Sequence, residues 1–477
     1  MKCLRLSFGM SEKEFKPVLG LWDGTMLVAG SMIGSGIFIV SADILRNVGS
    51  AGWLVGVWVI TGFMTITAAV SYGELSGMFP KAGGQYVYLK EAYNPLIAFL
   101  YGWSYFAIIQ TGTIAAVGVA FAKFMAYIAP WASEDLVLLD LSFVKISPAQ
   151  VVAIFTIVLL TYINTRGVKG GKFIQTFLTV IKLVSLFGLI VFGFVMMKSE
   201  VWKMNWVDAW QMHGIGKDGT IADYTLVLSM GAIASAMVGS IFSSDAWNSV
   251  TFIAGEMKNP QRNIGLSLFL GTLIVTVIYV LANVMYLSTV PLHDIAFAEK
   301  DRVGVAAANV IFGPMGTVVI AIMIMIATFG CNNGLILSGA RVYYTMAKDG
   351  LFFKKVGTLN NFAVPQYGLW IQCILASIWC LSGKYGDLLD MISFVVVLFY
   401  MLTIAGIFIL RKQRPEANRP YKAFGYPVLP LIYIAMGTTF CLLLIFYKPT
   451  YTWPGLIITL IGIPVYFFAM KGKAAAS

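Results

Sequence analysis

A glycine- and serine-rich stretch interrupts the first long apolar run of the chain: Gly30-Ser31-Met32-Ile33-Gly34-Ser35-Gly36-Ile37-Phe38. A glycine inside a helix costs about 1 kcal/mol relative to alanine, so three glycines close together predict a break in that helix. A second polar interruption lies in a later apolar run, at Gly239-Ser240-Ile241-Phe242-Ser243-Ser244-Asp245-Ala246-Trp247-Asn248. Each interruption alone is also compatible with close helix packing through glycine.

The composition places both interruptions in a membrane. Of the 477 residues, 59% are hydrophobic and only 12% are charged, whereas a soluble domain carries about 25% charged residues. A spanning helix needs roughly 20 mostly apolar residues. The sequence therefore predicts an all-α membrane protein with twelve transmembrane helices, at 19–46, 52–78, 95–129, 148–165, 171–197, 225–256, 264–288, 310–345, 365–382, 387–410, 427–447 and 452–470.

The distribution of Lys and Arg gives the orientation. With the N-terminus inside, 22 of the 33 Lys and Arg residues fall in inward-facing segments and 9 in outward-facing ones. Cytoplasmic loops collect these residues, so the formal charge of +11 is read as a topology signal and not as nucleic-acid binding. We expect a multi-pass protein of the cell membrane with both termini in the cytoplasm.

The two interruptions occupy corresponding places in two halves of the chain. We expect a cytoplasmic segment at 1–18, a first repeat at 19–197, a second repeat at 225–412 and two added helices at 427–470. Unwound backbone at membrane depth is tolerated only where it is buried in protein or lines a cavity. Paired breaks in two repeats therefore indicate a binding site near the middle of the membrane.

The breaks also predict the chemistry of the ligand. Where the first helix restarts after Gly34-Ser35-Gly36, free N–H groups and the positive end of the helix dipole favour an anion. Where the first halves of the broken helices end, near Met32 and Phe242, free carbonyl groups favour a cation. A site with both features suits a zwitterion, and an α-amino acid is the simplest small molecule of this kind.

The first interruption resembles the first-helix signature of the amino acid–polyamine–organocation superfamily, and within it the L-type amino acid transporter (LAT) family. Trp247-Asn248 and the stretch 254–263 resemble that family's "GW…GE…NP.RN" pattern. Further similar stretches are Tyr72-Gly73-Glu74-Leu75, Lys81-Ala82-Gly83-Gly84-Gln85-Tyr86, Thr328-Phe329-Gly330-Cys331-Asn332-Asn333-Gly334 and Arg411-Lys412-Gln413-Arg414-Pro415. The resemblance implies a LeuT-like fold, which is a five-plus-five inverted repeat with unwound helices 1 and 6.

The resemblance also implies which residues bind the substrate. The carboxylate would lie on Gly34, Ser35 and Gly36, and the ammonium on the carbonyl groups of Met32, Phe242 and Asp245. Ile33 and Ser243 belong to the same unwound segments, and the ring of Phe242 would close over the substrate. Ser244 and Ala246 stand where tyrosine and glycine are more usual, which affects side-chain specificity. The Asp245 carboxylate either binds local backbone N–H groups or faces a cationic substrate.

Lys182 is a cation near the middle of the fifth span, and such residues are functional candidates. The resemblance implies that it lies against unwound helices 1 and 8, in the place of a sodium ion, so we expect no sodium requirement. Lys123 lies near the outer end of span three and is expected to reach the membrane surface. Asn332 and Asn333 either line the site or join helices. Glu74 and Glu256 are expected to form caps or intracellular gate contacts.

Other classes of function find little support. The only histidines, His213 and His293, fall in outward loops, so a metalloenzyme centre inside the membrane is not expected. The chain contains no GxSxG motif and no repeated channel filter. We expect no enzyme activity, cofactor or metal. The sequence favours a secondary transporter for neutral L-amino acids that works by sodium-independent exchange; a proton-coupled symporter and, less so, an amine or polyamine permease are the alternatives.

The family resemblance also bears on the binding partners of the chain. Eukaryotic LAT members carry a cysteine before span four that bridges to a heavy chain, whereas residues 131–147 contain none. We therefore expect a stand-alone bacterial permease without a disulfide-linked heavy chain, whose partners are an L-amino acid and the lipid bilayer. The apolar stretch 394–398 of span ten suits uncharged substrates.

Overall fold

The computed structural model describes residues 15–141, 144–216, 218, 220–382 and 385–474, and these are almost entirely helical. The α-helices are α1 (Leu21–Met32), α2 (Gly36–Val48), α3 (Ala51–Met78), α4 (Gln85–Ala92), α5 (Pro95–Ser104), α6 (Gln110–Met125), α7 (Pro148–Thr165), α8 (Val168–Val195), α9 (Ser199–Asn205), α10 (Leu226–Ser243), α11 (Ser249–Phe252), α12 (Pro260–Thr289), α13 (Leu292–Ala296), α14 (Val303–Phe312), α15 (Pro314–Lys348), α16 (Gln366–Ser382), α17 (Tyr385–Gln413), α18 (Val428–Tyr447) and α19 (Pro449–Ala474). The π-helix Tyr105–Ile109 joins α5 to α6.

Short elements occupy the connections. Single turns of 3-10 helix lie at Pro130–Ala132, Ala254–Glu256, Glu299–Asp301 and Lys354–Gly357. Two antiparallel hairpins pair β1 (Leu139–Leu141) with β2 (Val144–Ile146) and β3 (His213–Ile215) with β4 (Ile221–Asp223). Most of the predicted N-terminal segment, residues 1–14, lies outside the described residues.

The all-α membrane architecture predicted from the sequence is confirmed. In the described part of the chain, nine helical segments are long and apolar enough to cross a membrane, and the bent pair α1–α2 makes ten. The remaining two predicted spans, 365–382 and 452–470, coincide with the shorter apolar segments Gln366–Leu381 and Thr452–Phe468. The count of twelve and the division into two repeats therefore stay predictions.

Both predicted helix breaks are present. α1 ends at Met32 and α2 begins at Gly36, with a bend of 45° between them. Ile33, at the end of α1, has an extended backbone with φ −75° and ψ 98°. α10 ends at Ser243, and the next helix begins only at Ser249; between them Ala246 has a left-handed φ of 63°. Long helices surround the breaks, because α1 packs against α12, α8 and α15, and α2 packs against α10.

One buried and one partly buried ion pair join the helix ends on the side that carries most of the Lys and Arg residues. The Arg341 guanidinium donates to the Glu256 carboxylate at 2.9 Å, with both side chains buried. The Glu74 carboxylate accepts from Arg411 at 2.7 Å and from the backbone N–H of Ala423 at 2.7 Å. These contacts fit the intracellular gate or capping roles that the sequence suggested for the two glutamates.

Candidate functional site

The ends of the two broken helices meet at Gly36. A Cβ atom added to Gly36 would overlap the side chain of Ser243, the last residue of α10. The Ser243 hydroxyl donates to the Gly239 carbonyl at 2.7 Å, which fixes it in this position. Glycine is therefore required at the start of α2 by a close approach and not by an unusual backbone angle.

A cavity lies along this junction and brings together most of the predicted substrate-binding residues. From the two breaks, its wall contains Ser31, Met32, Gly34, Ser35, Gly36, Phe242, Ser243, Asp245 and Ala246. Ile33 does not line it; this residue is fully buried and presents its carbonyl group to Lys182.

Three further wall residues were not foreseen from the sequence: Thr113 and Val117 from α6, and Cys331 from α15. The Cys331 thiol donates to the Ser31 carbonyl at 2.9 Å, so it also holds the end of α1. The polar run Thr111-Gly112-Thr113 inside an apolar span is a local signal that could have pointed to α6, but no prediction was drawn from it.

Tyr279 of α12 joins the two broken helices. Its hydroxyl lies 3.0 Å from the Met32 carbonyl oxygen and 3.1 Å from the Ser243 carbonyl oxygen. A phenolic hydroxyl has a single hydrogen to donate, so the two carbonyl groups share it. The ring is 1% exposed and packs edge-on against Trp58, with centroids 5.1 Å apart. A lone tyrosine in an apolar span carries no distinguishing pattern, so the sequence did not point to it.

Lys182 of α8 lies directly behind the first break. Its ammonium group donates to the carbonyl groups of Gly30 and Ile33 in the α1 end, the latter at 2.8 Å, and to the Ala327 carbonyl of α15 at 3.2 Å. The side chain is 2% exposed. The negative end of the α1 dipole stabilises a cation here. The resemblance implied a position against unwound segments of the first and eighth spans. The first span is broken at this point, but the eighth span, α15, is a continuous helix from Pro314 to Lys348, so an unwound segment there is not present.

Asp245 lies in the second break and lines three neighbouring cavities. Its carboxylate accepts from the Tyr400 hydroxyl of α17 at 2.6 Å and is 9% exposed. The Tyr400 contact was not predicted. It leaves both expectations for Asp245 standing, because a carboxylate has several acceptor positions and a single hydroxyl occupies one of them.

Comparisons with known proteins identify the family. The sequence pattern described as "Amino acid permease" matches residues 19–475. The chain belongs to the amino acid permease family.

The serine/threonine exchanger SteT of Bacillus subtilis is 30% identical over 468 residues, which cover 97% of this chain and 99% of the relative. The human b(0,+)-type amino acid transporter 1 is 27% identical over 461 residues, or 95% of this chain and 88% of the relative. The human large neutral amino acids transporter small subunit 2 is 27% identical over 458 residues, which cover 95% of this chain and 81% of the relative.

These relatives confirm the family that the sequence motifs indicated. The match extends over nearly the whole permease and includes both helix breaks. It assigns no role to individual residues, so the substrate-binding residues remain predictions that rest on the geometry above.

The other polar candidates of this permease lie away from the break cavity. The Asn332 amide donates to the Ile114 carbonyl at 3.2 Å, and Asn333 accepts from Asn164 at 2.9 Å. Both asparagines thus join helices, and neither lines the cavity at the breaks. The Lys123 ammonium forms an ion pair with Glu134 at 3.0 Å, and its side chain is 24% exposed.

Proposed function

We propose that this permease exchanges neutral L-amino acids across the cell membrane by alternating access, without sodium. One observation carries the proposal: the N-terminus of α2 and the carbonyl ends of α1 and α10 face one buried cavity. Free N–H groups attract a carboxylate and free carbonyl groups attract an ammonium. The names of the relatives, which include an exchanger and two amino acid transporters, support the same class.

Each predicted site residue has a role in this proposal. The backbone N–H groups of Gly34, Ser35 and Gly36 receive the substrate carboxylate. The carbonyl groups of Met32 and Phe242 receive the ammonium, together with the backbone of Asp245. Phe242 lines the cavity and is 8% exposed, and its ring closes the site during transport. Ser243 and Ile33 hold the backbone of the two breaks in place.

Lys182 replaces the coupling cation. Its ammonium already occupies the carbonyl oxygens that a sodium ion would need, and a second cation in the same buried place would be repelled. Exchange is therefore independent of sodium, and Lys182 carries a fixed charge throughout. Coupled proton transport is the main alternative, since a buried lysine is able to release a proton.

The topology and the partners complete the proposal. Both termini lie in the cytoplasm, as the Lys and Arg distribution indicates, and the chain comprises two five-helix repeats, 19–197 and 225–412, followed by 427–470. The cysteines in the described residues, Cys331, Cys373, Cys380 and Cys441, are all buried. None of these four is placed to bridge to another chain, which supports a permease without a disulfide-linked heavy chain.

Uptake into proteoliposomes tests the proposal. Purified protein is reconstituted, and entry of radiolabelled L-serine and L-leucine is followed in sodium-free buffer. Vesicles are preloaded with unlabelled amino acid, left empty, or left empty with an inward proton gradient. We expect uptake only into preloaded vesicles. Accumulation driven by the gradient alone would replace exchange by proton symport, and no uptake under any condition would reject the substrate class.

A further inference from the structure

A second cavity lies beside the first and shares Thr113, Asp245 and Ala246 with it. It extends from Asp245 toward the beginning of α4 and the end of α5, on the side of the molecule where the Lys- and Arg-rich loops lie. Tyr101 and Tyr105 line this part of the wall. The substrate-binding residues discussed above do not reach it, apart from Asp245.

The hydroxyl groups of these two tyrosines are buried. Tyr101 is 2% exposed and Tyr105 is 3% exposed, and their rings lie 5.5 Å apart. Among the described residues, neither hydroxyl has a hydrogen-bond partner. A buried polar group without a partner costs about 1–3 kcal/mol. Phenylalanine would fill the same space without that cost, so the two hydroxyls indicate a polar ligand in the cavity.

Amide groups add further donors to the same wall. The Asn248 amide donates to Gln85 at 3.0 Å, and the Gln110 amide donates to the Leu335 carbonyl at 2.6 Å. Each amide nitrogen carries two hydrogens, so each keeps one beyond the bond described. The Asp245 carboxylate, held by Tyr400, lies in the same wall. The cavity therefore offers one negative group and several neutral donors.

We propose that this cavity is a second binding site for a zwitterionic α-amino acid, on the cytoplasmic half of the transport path. The ammonium binds the Asp245 carboxylate, and the carboxylate accepts hydrogen bonds from the Tyr101 and Tyr105 hydroxyls. Because both cavities share Asp245, the ammonium is able to leave the carbonyl ends at the breaks and gain a charged partner at once. This inference rests on the proposed amino acid exchange and adds the stage at which substrate enters from or leaves to the cytoplasm.

The test compares the two faces of the membrane. Tyr101→Phe, Tyr105→Phe and the double variant are assayed for L-serine exchange in whole cells, which present the outer face, and in inside-out membrane vesicles, which present the cytoplasmic face. A hydrogen bond to a charged group is worth about 1.5–3 kcal/mol, which corresponds to roughly a 12- to 160-fold change. We expect the KM at the cytoplasmic face to rise by that factor per hydroxyl, and the KM at the outer face to stay within about twofold.

Tyr343→Phe is the matched control. The Tyr343 hydroxyl is also buried without a partner in the described residues, and its ring lies 6.1 Å from that of Tyr105, but it does not line the cavity. This variant should leave both KM values unchanged. None of the three substitutions removes a hydrogen bond in the part of the chain that the structure describes, so thermal unfolding temperatures should equal or exceed that of the unmodified protein.

Equilibrium binding of radiolabelled L-serine to the purified protein gives a second readout. Because the two sites share Asp245, one molecule occupies them in turn, so we expect one molecule per chain for both proteins and a higher Kd for the double variant. An unchanged cytoplasmic KM together with an unchanged Kd would overturn the second site while leaving exchange intact. If Tyr343→Phe raised the cytoplasmic KM by the same factor, the effect would come from packing and not from the cavity. Failure of the unmodified protein to exchange any amino acid would instead reject the proposed function.

Discussion

Two buried cations in this permease are neutralised in different ways. Arg341 is fully buried and pairs with the carboxylate of Glu256 at 2.9 Å. Lys182 is 2% exposed and donates to three carbonyl oxygens, and no carboxylate pairs with it among the described residues. Arg341 thus faces a full negative charge, whereas Lys182 faces only backbone dipoles.

The two cations differ in what their neutralisation depends on: side chains for Arg341 and the backbone conformation of α1 for Lys182. The attraction between Arg341 and Glu256 depends on two side chains and holds α15 to the segment after α11. The carbonyl groups of Gly30 and Ile33 are available to Lys182 only while α1 ends where it does, because an unbroken helix would use them in its own hydrogen bonds. We infer that the environment of Lys182 changes when the helix break changes shape, and that the environment of Arg341 does not.

The largest expected effect comes from Arg341→Ala. This change leaves the Glu256 carboxylate buried without a partner, which costs about 3–5 kcal/mol. Thermal unfolding of the purified protein should show a strong loss of stability. The double variant Arg341→Met, Glu256→Met should recover most of it, because replacing both charges by apolar groups removes the unpaired ion. If Arg341→Ala were as stable as the unmodified protein, the Arg341–Glu256 pair would not have the structural role that distinguishes it from Lys182.

Lys182→Ala should mainly impair transport. A hydrogen bond that involves a charged group is worth about 1.5–3 kcal/mol, so loss of even one of the three should lower the exchange rate at least about tenfold. The measurement is L-serine exchange in proteoliposomes. Lys123→Ala, which removes a partly exposed cation paired with Glu134, is the matched control and should retain most activity. Normal exchange in the Lys182 variant would contradict a role in the break.

Gly36→Ala tests whether the two broken helices need their close contact. The added methyl group would overlap Ser243, and overpacking of this kind costs about 1–3 kcal/mol. We expect weaker substrate binding, measured as a higher KM for exchange. Gly188→Ala is the control, since a Cβ atom there has no neighbour within 4 Å. Equal KM values in the two variants would show that the contact at Gly36 is dispensable.

The smallest effect is expected for Tyr279→Phe, which removes a neutral donor from the same carbonyl ends. Loss of one neutral hydrogen bond, about 0.5–1.5 kcal/mol, should raise the KM by roughly 2- to 12-fold. Tyr286→Phe is the comparison, because the Tyr286 hydroxyl has one longer bond, of 3.3 Å, to the Ile37 carbonyl. Both rings keep their packing. If Tyr286→Phe had the larger effect, the shared hydroxyl of Tyr279 would not position the site.

Much of this permease was readable from local sequence. Apolar runs, the glycine-rich break at residues 30–36 and the charged side chain of Lys182 each reflect the composition of one segment, and the physical cost of placing such groups in a membrane applies to that segment alone. Together with the family resemblance, this reasoning pointed to many residues of the cavity wall, because those residues belong to the two breaks themselves. It also identified the family, whose motifs are contiguous.

The tertiary structure decided which other segments reach the breaks. Tyr279 bonds Met32 across 247 positions of sequence, and Cys331 bonds Ser31 across 300. Tyr400 bonds Asp245 across 155 positions. The hydroxyls of Tyr101 and Tyr105 were recognised as lacking a partner among the described residues only once their surroundings were known. A tyrosine in an apolar span looks the same whether it faces lipid, core or cavity. Its role depends on the packing of helices that are distant in sequence, and that packing is a property of the whole fold.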